Sequence, residues 1–143
     1  MSDPAGYSGT PLAQKLGLKD GQRALFIDLP ASLADLAASR QFVETNRITA
    51  DQLGDAAPGY DVVHLFTSAR AVLEASAQRL MNLIARDGMI WVSWPKKAAK
   101  VATDITEDVI RTVVLPLGLV DVKVCAVDET WSGLKLVIRK ELR

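Results

Sequence analysis

Residues 88–140 read GMIWVSWPKKAAKVATDITEDVIRTVVLPLGLVDVKVCAVDETWSGLKLVIRK. The run Met89 to Trp94 is apolar and of strand length, which suits a strand covered on both faces. Ile105, Val109, Val113 and Leu117 then recur at helical spacing and share one face. Thr103 or Asp104 is expected to open that helix, Pro116 to loosen its last turn and Gly118 to end it. Val120 to Val127 reads as a further strand, and Leu134 to Lys140 alternates, with Leu134, Leu136 and Ile138 on one side. A helix between two strands carries the chain back along the sheet, giving a right-handed parallel crossover. The polar turn after Val127 is too short for a crossover, so the last strand must run antiparallel.

Working back toward the start, Asp61 to Thr67 (DVVHLFT) is another continuous apolar run. Ser68 is expected to cap a long helix whose Ala69, Val72, Leu73, Ser76, Leu80, Leu83 and Ile84 form one stripe. Arg23 to Asp28 (RALFID) reads as the first strand, and Pro30 as the start of a helix ending near Ser39. Between them and Tyr60 the pattern is weaker. Gln41 to Glu44 could form a short strand and Thr49 to Leu53 a helical turn, capped by Thr49 and stopped by Gly54. Met1 to Gly9 reads as a flexible arm, leading into a single domain over residues 10–143 that begins with a helix at Thr10-Pro11. The fold class is therefore α/β: a Rossmann-like, mostly parallel sheet with a C-terminal antiparallel strand and helices on both faces.

Composition narrows the function classes. Hydrophobic residues make up 49% and charged residues 24%, which is ordinary globular usage and argues against disorder. Lys+Arg 17 balances Asp+Glu 17, so no global field draws the chain to nucleic acid or to anionic lipid. One cysteine, Cys125, excludes an intramolecular disulfide, and one histidine makes a Cys/His zinc site improbable. MSDPAGYSGT lacks the basic start and apolar run of a signal peptide, and the expectation is a cytoplasmic protein that neither enters a membrane nor binds nucleic acid.

These residues carry two resemblances. A crossover helix leading into a strand and then an antiparallel hairpin resembles the C-terminal half of class I S-adenosylmethionine-dependent methyltransferases. At the level of sequence, GYSGTPLAQKLGL at 6–18, DVVHLF at 61–66, WVSWPKK at 91–97 and LPLGLVDVKVCAVDETWSGLK at 115–135 resemble a bacterial family of uncharacterised proteins, a domain of unknown function. That resemblance is weakest over residues 31–59; it implies a fold and supplies no catalytic residues. The methyltransferase resemblance implies a glycine-rich turn after the first strand, where backbone approaches the cofactor. Here Asp28 is followed by Leu29-Pro30-Ala31-Ser32-Leu33, with no glycine and with a proline that removes a donor. Glu44 lies about where an acidic residue binding ribose hydroxyls would sit, which without the glycines is a coincidence. No cofactor is expected.

In open α/β sheets ligands bind beyond the carboxyl ends of the strands. The candidates there are Ser68, Trp94, Lys96, Lys97, Asp128 and Trp131, with Lys100 nearby. The lysines, with the helix start near Ser68, could hold an anion such as phosphate or carboxylate, or could be a solvated loop. Trp91 and Trp94 must point to opposite faces, so that one packs in the core while Trp94 could stack on a ring. Trp131 in a polar turn either folds back over the sheet, forms a ligand wall or anchors a partner. Asp104, Glu107 and Asp108 are accounted for by a helix start, His64 by a buried structural imidazole and Cys125 by a small core residue. The expectation is a noncatalytic module that binds a small anionic molecule or a protein. The alternative is a group-transfer enzyme, methyltransferase-like, with a non-standard cofactor site.

Overall fold

The computed structural model describes residues 11–143. The N-terminal arm and the Thr10 cap lie outside the described residues. Six strands form one sheet in the order β2-β1-β3-β4-β6-β5. They are β1 Arg23–Ile27, β2 Glu44–Ile48, β3 Tyr60–Phe66, β4 Ile84–Pro95, β5 Leu119–Ala126 and β6 Trp131–Ile138. The first four pair in parallel, and β6 runs antiparallel between β4 and β5. The fold is thus the Rossmann-like, methyltransferase-like one, with the reversed strand one place in from the edge.

Alternation along the strands sorts the core into two layers. On one face Leu25, Val63, Leu65, Ile90, Val92, Trp94, Leu134 and Leu136 pack under the helices α2 (Arg70–Leu83) and α3 (Glu107–Val114). On the other, Phe26, Val62, Phe66, Met89 and Trp91 meet the short helix α1 (Leu12–Lys15) and a 3₁₀ helix at Ala31–Ala38. Trp91 and Trp94 lie on opposite faces as their odd spacing requires. Trp91 is fully buried and its indole N–H donates to the Leu16 carbonyl at 2.9 Å, which fastens α1 to the sheet.

Several local expectations are corrected. The second strand is Glu44–Ile48, not residues 41–44, and the helix after Pro30 is of the tighter 3₁₀ kind. Thr49 does cap, making a reciprocal box with Gln52 over a 3₁₀ turn at Ala50–Asp55. Ser68 does not cap α2, and neither Thr103 nor Asp104 opens α3. Thr106 does the latter, accepting the Val109 N–H at 3.2 Å. Gly118, at φ 110, ends the 3₁₀ turn containing Pro116 in the left-handed region that favours glycine. No helix among the described residues is long and apolar enough to cross a membrane.

Candidate functional site

Four parallel strands deliver Asp28, Thr49, Thr67 and Lys96 to one end of the sheet, just past β1 to β4. The strand order reverses between β1 and β3, so ligand space is expected above that end.

Past β4 the chain leaves the sheet at Pro95, makes a 3₁₀ turn at Lys97–Ala99 and continues without regular structure to Thr106. This loop walls a hollow of about 570 Å³ lined by Trp94, Lys97, Lys100, Thr103, Ile105 and Thr106. Trp94 supplies an almost covered aromatic floor, while Lys97 and Lys100 are exposed at the mouth. Neither lysine makes an ion pair among the described residues, so two ammonium groups and two hydroxyl-bearing side chains line an apolar base.

The loop is stapled to the turn between β3 and α2. Thr103 Oγ1 donates to the Ser68 carbonyl at 2.7 Å, and Asp104 Oδ1 accepts the Arg70 N–H at 2.7 Å. Asp104 therefore holds a carboxylate where the sequence suggests room for an external anion. Its negative charge also suits the positive end of the α2 dipole. Because its partner lies in another element, no local spacing could have revealed this cap.

The remaining candidates lie elsewhere. The Lys96 N–H donates to the Thr130 carbonyl at 2.7 Å, tying the strand end to the β5–β6 turn. Asp128 Oδ1 accepts the N–H groups of Thr130 and Trp131 at 2.8 and 2.7 Å, an Asx turn that shapes the hairpin. Trp131 folds back and sits edge-on to Phe66, ring centroids 5.4 Å apart, with the layer opposite Trp94. The structure thus brings Trp94 and Lys97 together with Lys100, and places Trp131 on the other side of the sheet and Asp128 in the hairpin turn. Thr103, Thr106 and Ile105 are not among the sequence candidates for the site. Their signal, a threonine-bracketed loop after the lysines, reads in sequence as a helix start.

A second hollow, of about 390 Å³, lies past β1 and β2 and is lined by Asp28, Leu29, Arg47, Ile48, Thr49 and Gln52. Asp28 has φ 56, and its Oδ2 accepts the Ala50 N–H at 3.3 Å. Glu44 is not here. It starts β2 at the opposite end of the sheet, where Arg23 Nε donates to it at 2.8 Å. That hydrogen bond, with a second from Asn46, holds the Glu44 carboxyl below the usual range.

His64 and Ser93 form a hydrogen-bonded pair, Nε2 to Oγ 2.7 Å, in neighbouring strands. Both are buried, and His64 also stacks on Phe66 with centroids 4.0 Å apart. Burial pushes the imidazole pKa down to about 3. With 1% and 0% of their surfaces exposed, the two residues are packing polar groups out of reach of a substrate. Cys125 is half-buried, and burial raises its thiol pKa, opposite to the trend of a reactive thiolate. No group of three or more metal-binding side chains gathers among the described residues.

No family model and no curated protein matches the chain. Solved structures do match. The SAM-dependent methyltransferase of Aquifex aeolicus superposes with TM-score 0.69 at 12% identity, covering 89% of this chain and 87% of that one. The magnesium protoporphyrin IX methyltransferase of Synechocystis PCC 6803, with bound SAH, gives TM-score 0.62 at 14% identity over 90% of this chain and 78% of that one. The TehB-like SAM-dependent methyltransferase of Corynebacterium glutamicum gives 0.57 at 13% identity, covering 94% and 91%. At these identities the likeness is one of fold.

Proposed function

We propose that this chain is a small-ligand-binding module on a methyltransferase-like fold, taking an anionic molecule with a flat or apolar body in the hollow past β4. One observation carries the reading: the hollow sets Trp94, Lys97 and Lys100 around a single space, beside Thr103 and Thr106. An unpaired ammonium at the mouth attracts carboxylate or phosphate, and an indole on the floor offers a face for a ring. The binding is noncatalytic in this reading, because the buried histidine–serine pair is inaccessible and the two threonine hydroxyls of the hollow are engaged with backbone, Thr103 donating to Ser68 and Thr106 accepting from Val109.

A second reading, group transfer with a cofactor in the hollow beside Asp28, is favoured by the likeness to methyltransferases, one of them with bound SAH. Against it stand the missing glycine turn and the proline that removes a donor after β1.

Calorimetric titration with benzoate, AMP, S-adenosylmethionine and S-adenosylhomocysteine separates the two. The module reading expects saturable heat with benzoate or AMP that disappears in Lys97→Ala/Lys100→Ala and survives Asp28→Asn. Saturable heat with S-adenosylmethionine, lost in Asp28→Asn and kept in the lysine variant, would overturn it in favour of group transfer. Silence across all four ligands would remove the support for both.

A further inference from the structure

Lys123 in β5 and Lys135 in β6 stand directly opposite each other across an antiparallel pair. Opposed like charges destabilise a sheet, and a negative partner would reverse that cost. Lys19, just past α1, lines the same hollow as Lys135, whose pKa is lowered by burial first and then by Lys123 and Lys19. None of the three is ion-paired with a described residue, since every salt bridge among those residues uses an arginine. Asp61 and Asp87 line a nearby hollow of about 310 Å³ together with Lys19 and Lys135; the Asp61 carboxylate accepts the backbone N–H of Arg23, and neither aspartate comes within ion-pair distance of either lysine.

The surroundings of these lysines narrow the partner. Val122 is 51% exposed beside Lys123, and Val137 and Cys125 are half-buried on the lysine side of the sheet. Trp131 on the same face of β6 is packed edge-on against Phe66, and Arg139 just past the strand is paired with Glu141 at 3.8 Å, so neither is left free to stack on a base or fork a phosphate. β5 ends the sheet, yet its register slips between Asp121 and Lys123. Such a bulge guards an edge against open-ended strand addition, so a partner engages side chains and does not extend the ladder.

We propose that Lys19, Lys123 and Lys135, on the face of β5 and β6 opposite α3, form a docking surface for an acidic, partly apolar segment of another protein. This surface is separate from the hollow past β4 and goes beyond the ligand reading. The test is fluorescence anisotropy on the full chain with a labelled peptide of alternating glutamate and valine, its lysine–valine counterpart, and oligothymidylate. The acidic peptide is expected to bind saturably and to weaken as salt is raised. It should lose about tenfold or more in Lys123→Glu/Lys135→Glu and about threefold in the milder Lys123→Gln. Lys97→Ala should leave it unchanged, which keeps failure here distinct from failure of the hollow. Lack of saturable binding, equal binding by the folded lysine variants, or tighter binding of oligothymidylate would overturn the proposal.

Discussion

The carboxylate of Asp104 accepts the backbone N–H of Arg70, a residue 34 positions earlier, at 2.7 Å. Its neighbour Thr103 donates to the Ser68 carbonyl, so two consecutive residues fasten the loop past β4 to the start of α2. The helix gains a cap that its own flanking sequence does not supply, since Ala69 at the cap position has no side-chain acceptor. The same two bonds hold one wall of the hollow beside Trp94.

Asp104→Ala should therefore destabilise the fold by about 1 kcal/mol, the usual worth of a helix cap. Asp104→Asn, which keeps an acceptor oxygen, should recover most of that loss. Urea unfolding of the three proteins measures both values. A loss within error of zero would mean that solvent satisfies the Arg70 N–H equally well.

Gly133 lies where a side chain would be crowded. A Cβ there would meet Ser93 Oγ, Trp91 Cε3 and Val127 Cγ2, each at 3.2 Å, and none of the three is a free-ended chain that can swing away. Gly133→Ala should cost about 1–3 kcal/mol through overpacking. The change is read from the midpoint of thermal unfolding, with Ser132→Ala as the neighbouring control.

Trp91→Phe removes the indole N–H from a fully buried site and leaves the Leu16 carbonyl without that donor. The combined loss of packing and of the hydrogen bond should be about 2–4 kcal/mol. Hydrogen exchange distinguishes the cause, because α1 should lose protection before the central strands if the indole is what holds it down.

Stability should also fall on mild acidification because of His64. Its folded pKa, about 3, lies below the ordinary 6.5, so the unfolded chain takes up a proton that the folded one refuses. The contribution is complete above about pH 6.5 and is lost as the pH drops toward about 3, at up to ~1.4 kcal/mol per pH unit. Unfolding free energies of wild type and His64→Gln, compared between about pH 7 and pH 5, should converge as the pH falls. Parallel curves would show that the imidazole titrates alike in both states.

The apolar runs at Val62–Phe66 and Met89–Trp94 are legible in the sequence because a strand buried on both faces needs little but its own hydrophobicity. The reversed strand is legible from the length of its turn. Asp104 is not, because its partner is supplied by tertiary structure, while its sequence neighbours make a helix start equally plausible. Glu44 is misplaced in sequence by a shift of register. With the strand taken as 41–44 it falls at the carboxyl end, whereas in Glu44–Ile48 it is the first residue. Of the rim candidates, the pairing of Trp94 with Lys97 follows from their adjacency. The separation of Trp131 from both depends on which face of β6 it occupies, a matter decided by the four-residue turn before it.

Asp28 bends the chain at φ 56 immediately after β1, a left-handed turn made without glycine. A residue with a Cβ therefore makes the turn where a methyltransferase-like loop is expected to use glycine. The difference is one of polarity: a carboxylate occupies the bend, and Pro30 brings no N–H. Arg47 lines the same hollow as Asp28, so a carboxylate and a guanidinium share that space. Asp28→Gly would keep the bend and leave Arg47 as the one charged side chain of the described residues lining that hollow, so the charge at this end of the sheet is balanced between these two residues.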